Sequence, residues 1–187
     1  MSWTAHSDIK PIMKSNVKEA ASAVLENRYD RILREYGPAL RRVASSYESD
    51  AGKREDLAQE IAVAIWLALP RFRGECSERT FVYRIAHNRG LTHAWRRGPS
   101  MSAIEEASHV PSSMPSPEAL ASVRERHERL AAALRTLPLL YREVLTLTLE
   151  ELSHAEIAEV LGISESNVAV RLNRARKALR EALGGSK

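Results

Sequence analysis

Residues 137–183, LPLLYREVLTLTLEELSHAEIAEVLGISESNVAVRLNRARKALREAL, carry the punctuation that most limits how this chain can fold. Ser153 and Glu156 have capping-box spacing: the hydroxyl accepts from a free helix-start N–H, and the carboxylate reaches back. Ile157, Ala158 and Leu161 then line one face of a short helix, and Gly162 stands where a left-handed residue stops it. Ile163 can plug the turn and Ser164 can cap the next helix. Along that helix Val168, Leu172, Ala175 and Leu179 recur at helical spacing as a buried stripe. Ser166, Asn167, Val170, Arg171, Arg174 and Lys177 are left pointing largely outward. Apolar spacing alone fits any antiparallel helix pair. It does not account for Arg171, Arg174, Arg176, Lys177 and Arg180 against only Glu165 and Glu181 over residues 165–183. Charge placement and turn chemistry together predict a helix-turn-helix whose basic second helix enters a major groove.

The formal net charge of +4 suggests a polyanionic partner without identifying it. Its distribution says more. Residues 71–97 hold Arg71, Arg73, Arg79, Arg84, Arg89, Arg96 and Arg97 against Glu75 and Glu78. Residues 48–60 run the other way, with Glu48, Asp50, Glu55, Asp56 and Glu60 against Lys53 and Arg54. One acidic and two basic surfaces imply at least two partners. Cys76 is the only cysteine, so an internal disulfide is ruled out and a Cys-based zinc site is not expected. His87 and His93 lie six apart, on different sides of a helix, so no metal site is expected there. No nucleophile elbow or glycine-rich phosphate loop points to catalysis or a cofactor. No apolar run approaches the ~18 residues of a membrane span, and the N-terminus lacks a signal pattern. A cytoplasmic protein is expected.

Helical periodicity runs from about Val24 to Ser46, with Gly37-Pro38 expected to kink that helix or start a new one. A second helix is predicted over 55–69, ended by Pro70, and a third over 79–97, ended before Gly98-Pro99. Residues 99–121 contain four prolines and six serines but no Lys or Arg, and so read as a mobile, fairly extended linker. The expected fold is all-α, with two small helical domains on a flexible tether. The boundaries are an N-terminal extension, disordered or partly helical (1–23), a first domain (24–98), the linker (99–121) and a second domain (122–184).

In the helix over 55–69, Leu57, Ile61, Ile65 and Ala68 form a core face. Asp56, Gln59, Glu60, Val63 and Leu67 share the opposite strip. A solvated face usually interleaves both signs, so an acidic strip edged with aliphatics suits a basic partner surface equally well. In residues 71–90, RFRGECSERTFVYRIAHNRG, arginines alternate with Phe72, Phe81 and Tyr83, and Asn88 lies within reach. Cations that track phosphates, interleaved with rings that can stack, suit unpaired bases. Phe72 reads more simply as core, whereas Tyr83 and Asn88 read as binding residues.

Together these segments resemble the extracytoplasmic-function (ECF) group of bacterial RNA polymerase sigma factors, in the sigma-70 family. The match covers residues 24–98, through EDLAQEIAVAIWLALPRFRG and SERTFVYRIAHN. It also covers residues 122–184, through LPLLYREVLTL and LSHAEIAEVLGISESNVAVRLNRARKAL. The chain departs from the family pattern at Ala62, Phe81-Val82, His87 and Asn167. The resemblance implies a non-enzymatic promoter-specificity subunit whose first domain is sigma region 2 and whose second is region 4. It implies that Asp56, Leu57, Gln59 and Glu60 dock on the clamp helices of the polymerase largest subunit, with Trp66 supporting the helix. It further implies that residues 71–97 melt and read the −10 element, through Arg71, Arg73, Arg79, Tyr83, Arg84, His87, Asn88, Arg96 and Arg97. Region 4 would read the −35 element through Ser166, Asn167, Arg171, Arg174, Arg176 and Lys177 while resting on the polymerase flap. The linker would thread toward the RNA exit path. Many relatives are held inactive by an anti-sigma partner that covers both domains, and a mobile linker permits that here.

The rival reading is a stand-alone helix-turn-helix regulator whose first domain dimerises or senses a ligand. A sensor domain has no need of a basic-aromatic, single-strand surface, which disfavours it.

Overall fold

The computed structural model describes residues 9–96 and 129–184. Among the described residues every regular element is helical: α1 (Ile9–Tyr47), α2 (Ala51–Ala68), a 3₁₀ turn (Leu69–Arg71), α3 (Glu78–Arg96), α4 (129–136), α5 (Leu139–Leu149), α6 (His154–Leu161) and α7 (Glu165–Gly184). The linker over 99–121 lies outside the described residues, as do residues 1–8. The expected extension is helical from Ile9 on, where its backbone continues into α1. The break expected at Gly37-Pro38 is absent as a boundary, because α1 is assigned as one helix across Pro38. Burial of Ala39 and Leu40 directly beyond it anchors the helix past the one backbone bond that proline cannot donate.

The first domain packs α1, α2 and α3 around Ile32, Val43 and Ala44 of α1, Leu57, Ile61 and Ile65 of α2, and Val82 and Ala86 of α3. The sequence reading starts α2 at Glu55, but the helix begins at Ala51 because Asp50 caps it, accepting the Lys53 N–H at 2.9 Å. Asp50 is itself held, its N–H donating to Glu48 Oε1 at 2.9 Å. Glu48 is fully buried, and its other oxygen accepts from His93 Nε2 at 2.9 Å. It therefore does not belong to the acidic surface that the charge run suggested. Its carboxylate ties the α1–α2 corner to the far end of α3.

Tyr47 adds a second tie. Its ring lies over Gly90, where a built Cβ would come within 2.4 Å of the ring carbons. Only hydrogen fits between α1 and α3 at this point.

In the second domain the local chemistry read from the sequence is realised. The Glu156 N–H donates to Ser153 Oγ at 3.2 Å while the Ser153 N–H donates to Glu156 Oε2 at 2.8 Å. Gly162 turns left-handed at φ 66°, and the Asn167 N–H reaches Ser164 Oγ at 3.3 Å. Val168, Leu172 and Ala175 of α7 close over Ile157 and Val160 of α6 and Val144, Leu145 and Leu147 of α5. The α5–α6 turn holds the one non-glycine residue with positive φ among the described residues, Glu151 at 61°.

The two domains also pack on each other: α6 lies against α3, and α5 against α1. Gly90→Ala should destabilise the first domain by about 1–3 kcal/mol, as overpacking in a filled core does. Chemical denaturation followed by helical circular dichroism measures this.

Candidate nucleic-acid interface

On α2, Asp56, Gln59 and Glu60 are exposed, and Val63 (55 % exposed) and Leu67 (64 %) continue the strip. The strip borders an open groove, with Val63 and Ala64 on its floor and Arg89 and Arg96 of α3 along the other wall. Leu57 corrects the expectation that it joins this docking surface. It is fully buried, because helical spacing groups it with Ile61 and Ile65 on the opposite face. Trp66 packs edge-on against Tyr29, centroids 5.1 Å apart, and so does support the helix from α1.

The basic loop leaves the 3₁₀ turn with Arg71 and Arg73 exposed and reverses at Gly74, φ 78°. Phe72 is structural: it stacks on Phe81 at 4.4 Å, with the Arg28 guanidinium 5.1 Å from its centroid. Ser77 caps α3 by accepting the Thr80 N–H at 3.0 Å. Asn88 and Arg96 of α3 are exposed, and Arg97 lies outside the described residues. The rest of the expected −10 surface is occupied. Arg79 donates to the backbone carbonyl of Glu150, and Arg84 pairs with Glu159 at 3.0 Å. Tyr83 is buried rather than presented to solvent. It meets Tyr36 edge-on at 6.3 Å, and burial pushes its phenol up to about 12.

His87 is buried as well, one helical turn beyond Tyr83 on the same face of α3. Its Nδ1 lies 3.0 Å from the Tyr47 hydroxyl and 3.7 Å from Glu143 Oε1 of α5. Burial draws its pKa down to about 4, so it is neutral near pH 7 and supplies no cation to a phosphate. These departures share one cause: the face of α3 that carries Arg79, Tyr83, Arg84 and His87 is the face on which the second domain lies.

On α7, Ser166, Asn167, Val170, Arg174, Arg176 and Lys177 are exposed, as their spacing requires. Arg171 differs from the expectation of an outward side chain. It is half-buried at the edge of the Val168–Leu172 stripe, close enough to draw down the Glu143 carboxyl. Sequence reasoning missed Glu143, although an acid four residues before Leu147 in an apolar run is a detectable oddity. It also missed Arg42, Arg135, Arg142 and Glu150, whose partners are distant in sequence. Among the described residues no group of three or more His, Cys, Asp or Glu is placed to hold a metal ion, and no helix is long and apolar enough to cross a membrane.

Comparison with known proteins gives this geometry a family. Residues 32–98 match Sigma-70 region 2, and residues 127–179 match Sigma-70, region 4. The RNA polymerase sigma-H factor of Pseudomonas aeruginosa is 30% identical over 165 residues, covering 83% of this chain and 86% of that protein. The RNA polymerase sigma factor CnrH of Cupriavidus metallidurans is 30% identical over 171 residues, covering 86% and 90%. The chain belongs to the sigma-70 family, in its extracytoplasmic-function group. Among solved structures, CnrH in complex with the cytosolic domain of CnrY aligns with a TM-score of 0.65 at 26% identity, covering 87% of this chain and 91% of that one. The sigma factor RpoE of Bartonella quintana, in complex with the anti-sigma factor NepR, aligns at 0.66 with 23% identity over 86% and 99%, and supports the fold alone.

The buried His87–Glu143 contact gives a pH signature. Burial raises the Glu143 carboxyl from 4.5 to about 7, against the pull of Arg171 and Arg142. The folded state therefore holds this proton more tightly than the unfolded chain, and stability falls as pH rises toward 7. His87, lowered from 6.5 to about 4, acts oppositely, and its contribution grows as pH rises through that range. At pH 6.5, the unfolded value of the histidine, the unfolded ring is still half protonated, so its contribution is still rising and offsets part of the loss from Glu143, which the folded state keeps mostly protonated until about pH 7. Denaturation curves should show a shallow decline in stability from pH 6.5 through 7 in the wild type, and a rise over the same range in Glu143→Gln, where only the histidine contribution is left.

Proposed function

We infer that this chain binds core RNA polymerase and directs it to promoters, through recognition of two DNA elements and melting of one. The observation that carries the reading is the ordered pair of region 2 and region 4 matches in one chain. Beside it stand two surfaces of opposite sign, the exposed acid-aliphatic strip of α2 and the exposed basic face of α7. The strip of Asp56, Gln59, Glu60, Val63 and Leu67 docks on the polymerase clamp helices. Arg71, Arg73, Asn88 and Arg96 meet the −10 region directly, and Arg79, Tyr83, Arg84 and His87 join them once the second domain withdraws. Exposed side chains at the start of α7, Ser166 and Asn167, read −35 base edges, while Arg174, Arg176 and Lys177 anchor phosphates.

The protein acts by binding rather than by covalent chemistry, and works where the polymerase works, in the cytoplasm. The CnrH structure contains the cytosolic domain of CnrY and the RpoE structure the anti-sigma factor NepR, and an anti-sigma partner fits the two-domain layout here. A stand-alone regulator would footprint duplex DNA unaided, whereas the sigma reading requires core enzyme.

Asp56→Arg with Glu60→Arg should abolish co-purification with core polymerase while leaving the fold intact, since exposed substitutions usually shift stability by only ~0.5 kcal/mol. A folded double variant that still co-purifies would overturn the docking assignment. In run-off transcription on a promoter library, Asn167→Ala should relax preference at one or two −35 positions. Lys177→Ala should instead weaken all promoters alike and make the salt slope shallower by ~1, as loss of a phosphate contact does.

A further inference from the structure

Helix α3 carries one acid, Glu78 at its start, and that carboxylate is held by Arg28 at 2.9 Å and Arg31 at 2.8 Å. From residue 79 to residue 96 no carboxylate follows, whereas Arg79, Arg84, Arg89 and Arg96 do. At about 100° per residue, positions 84, 88 and 95 fall within about 40° of one another. They form the outer line of the helix, opposite the buried Tyr83, Ala86 and Gly90.

Trp95 ends that line. It is 73 % exposed, more than any other large apolar side chain among the described residues. The neighbouring rings are used internally: Phe72 stacks on Phe81, Tyr83 meets Tyr36, and Trp66 meets Tyr29. Trp95 has no such partner. Among the described residues the side chains of Asn88, Arg89 and Arg96 make no hydrogen bond or ion pair either. Thr92, which lies between Asn88 and Trp95, turns its hydroxyl back to donate to the Asn88 carbonyl at 2.8 Å. The Asn88 amide and the Trp95 indole are therefore the groups that this line offers outward. Ala94, packed against the core, anchors the turn from which the indole projects.

A lone exposed apolar side chain on a surface of mixed charge needs no partner. The setting of Trp95 is different, because the helix around it carries cations and neutral polar groups only. Arg89 and Arg96 flank the line on the side of the groove to α2. Cations that track phosphates, beside a flat ring that takes the face of a base, form a surface for opened nucleic acid. An amide on the same line can take a base edge, which a phosphate contact cannot read.

We propose that Trp95 is a stacking platform for a base at the edge of the −10 element, a contact in addition to those of Arg71, Arg73, Asn88 and Arg96. The assignment rests on the promoter reading of α3 and deepens it by naming a residue that takes a base face rather than a phosphate. Seven residues of helix rise about 10.5 Å, which is about three base steps at 3.4 Å each. The base that meets Trp95 therefore lies about three nucleotides from the base that meets Asn88.

The test uses holoenzyme assembled from core polymerase and the full chain, on the strongest promoter of the run-off library. Nontemplate bases around −10 are replaced one at a time by abasic sites, and promoter affinity is measured for each. Trp95→Ala should weaken binding to the intact promoter about tenfold, equivalent to about 1.4 kcal/mol and within the range of one lost base stack. On the one template that lacks the stacked base it should cost nothing further, since the interaction is already gone. Asn88→Ala should become silent at a different position, about three nucleotides away. Trp95→Phe, which keeps a ring, should retain most of the affinity. Trp95→Lys, which keeps only attraction to phosphate, should bind without regard to that base. As an exposed substitution, Trp95→Ala should leave the fold and co-purification with core polymerase unchanged. A folded Trp95→Ala that binds promoter like wild type, or that is weakened equally on every abasic template, overturns the stacking role. Loss of core polymerase from Trp95→Ala also overturns it, because the indole would then be a protein contact. Failure of the wild type to bind core enzyme, or to select any promoter with it, would overturn the sigma reading itself.

Discussion

The C-terminal turn of α1 is the constraint on which the remaining architecture depends. Within a few residues it presents Ser45 and Ser46 carbonyls to guanidiniums of the second domain, the Tyr47 ring to Gly90 of α3, and the Glu48 carboxylate to both the start of α2 and His93. None of these groups is at liberty to move independently. Tyr47 cannot back away from Gly90 without disturbing its hydroxyl contact with His87. Glu48 cannot turn without releasing Asp50, and with it the cap of the helix that bears the proposed polymerase-docking strip. A helix terminus, ordinarily the place where a structure frays, here joins α1 to α2, α3 and the second domain.

What the sequence revealed divides along the range of the interactions involved. Ser153 with Glu156, Gly162 and Ser164 were legible because each acts on backbone groups within a few residues, so type and spacing determine the outcome. The Val168–Leu172–Ala175 stripe and the core face of α2 were legible through periodicity. Leu57 shows that periodicity outranked family analogy, since its spacing placed it in the core where the structure has it. Glu48 read as surface because the partner that absorbs its charge, His93, is 45 residues away. Tyr83, His87 and Arg171 were read from the pattern of their own helices, which cannot say what another domain lays over them.

The interface between the domains is unusual in composition for an interior surface. It combines half-buried guanidiniums, a carboxyl raised by burial and a neutral histidine with an apolar cluster that runs through both domains. Charged groups in such settings fix pose more than they add stability, because desolvation offsets much of their attraction. Directional polar contacts such as the Arg42–Glu150 fork specify one packed geometry.

The left-handed backbone at Glu151 belongs to the same logic. A non-glycine residue at φ 61° stores on the order of 1 kcal/mol of strain, and it does so in the turn that aims Glu150 at Arg42. Glycine at this position would remove the strain and strengthen the domain's own fold, yet the freer turn would hold Glu150 less firmly in its fork. Robustness of the domain and firmness of the Arg42–Glu150 contact are therefore governed by one backbone position with opposing effects. A change at this turn alone would alter how tightly the two domains are joined and leave every residue proposed to touch polymerase or DNA as it is.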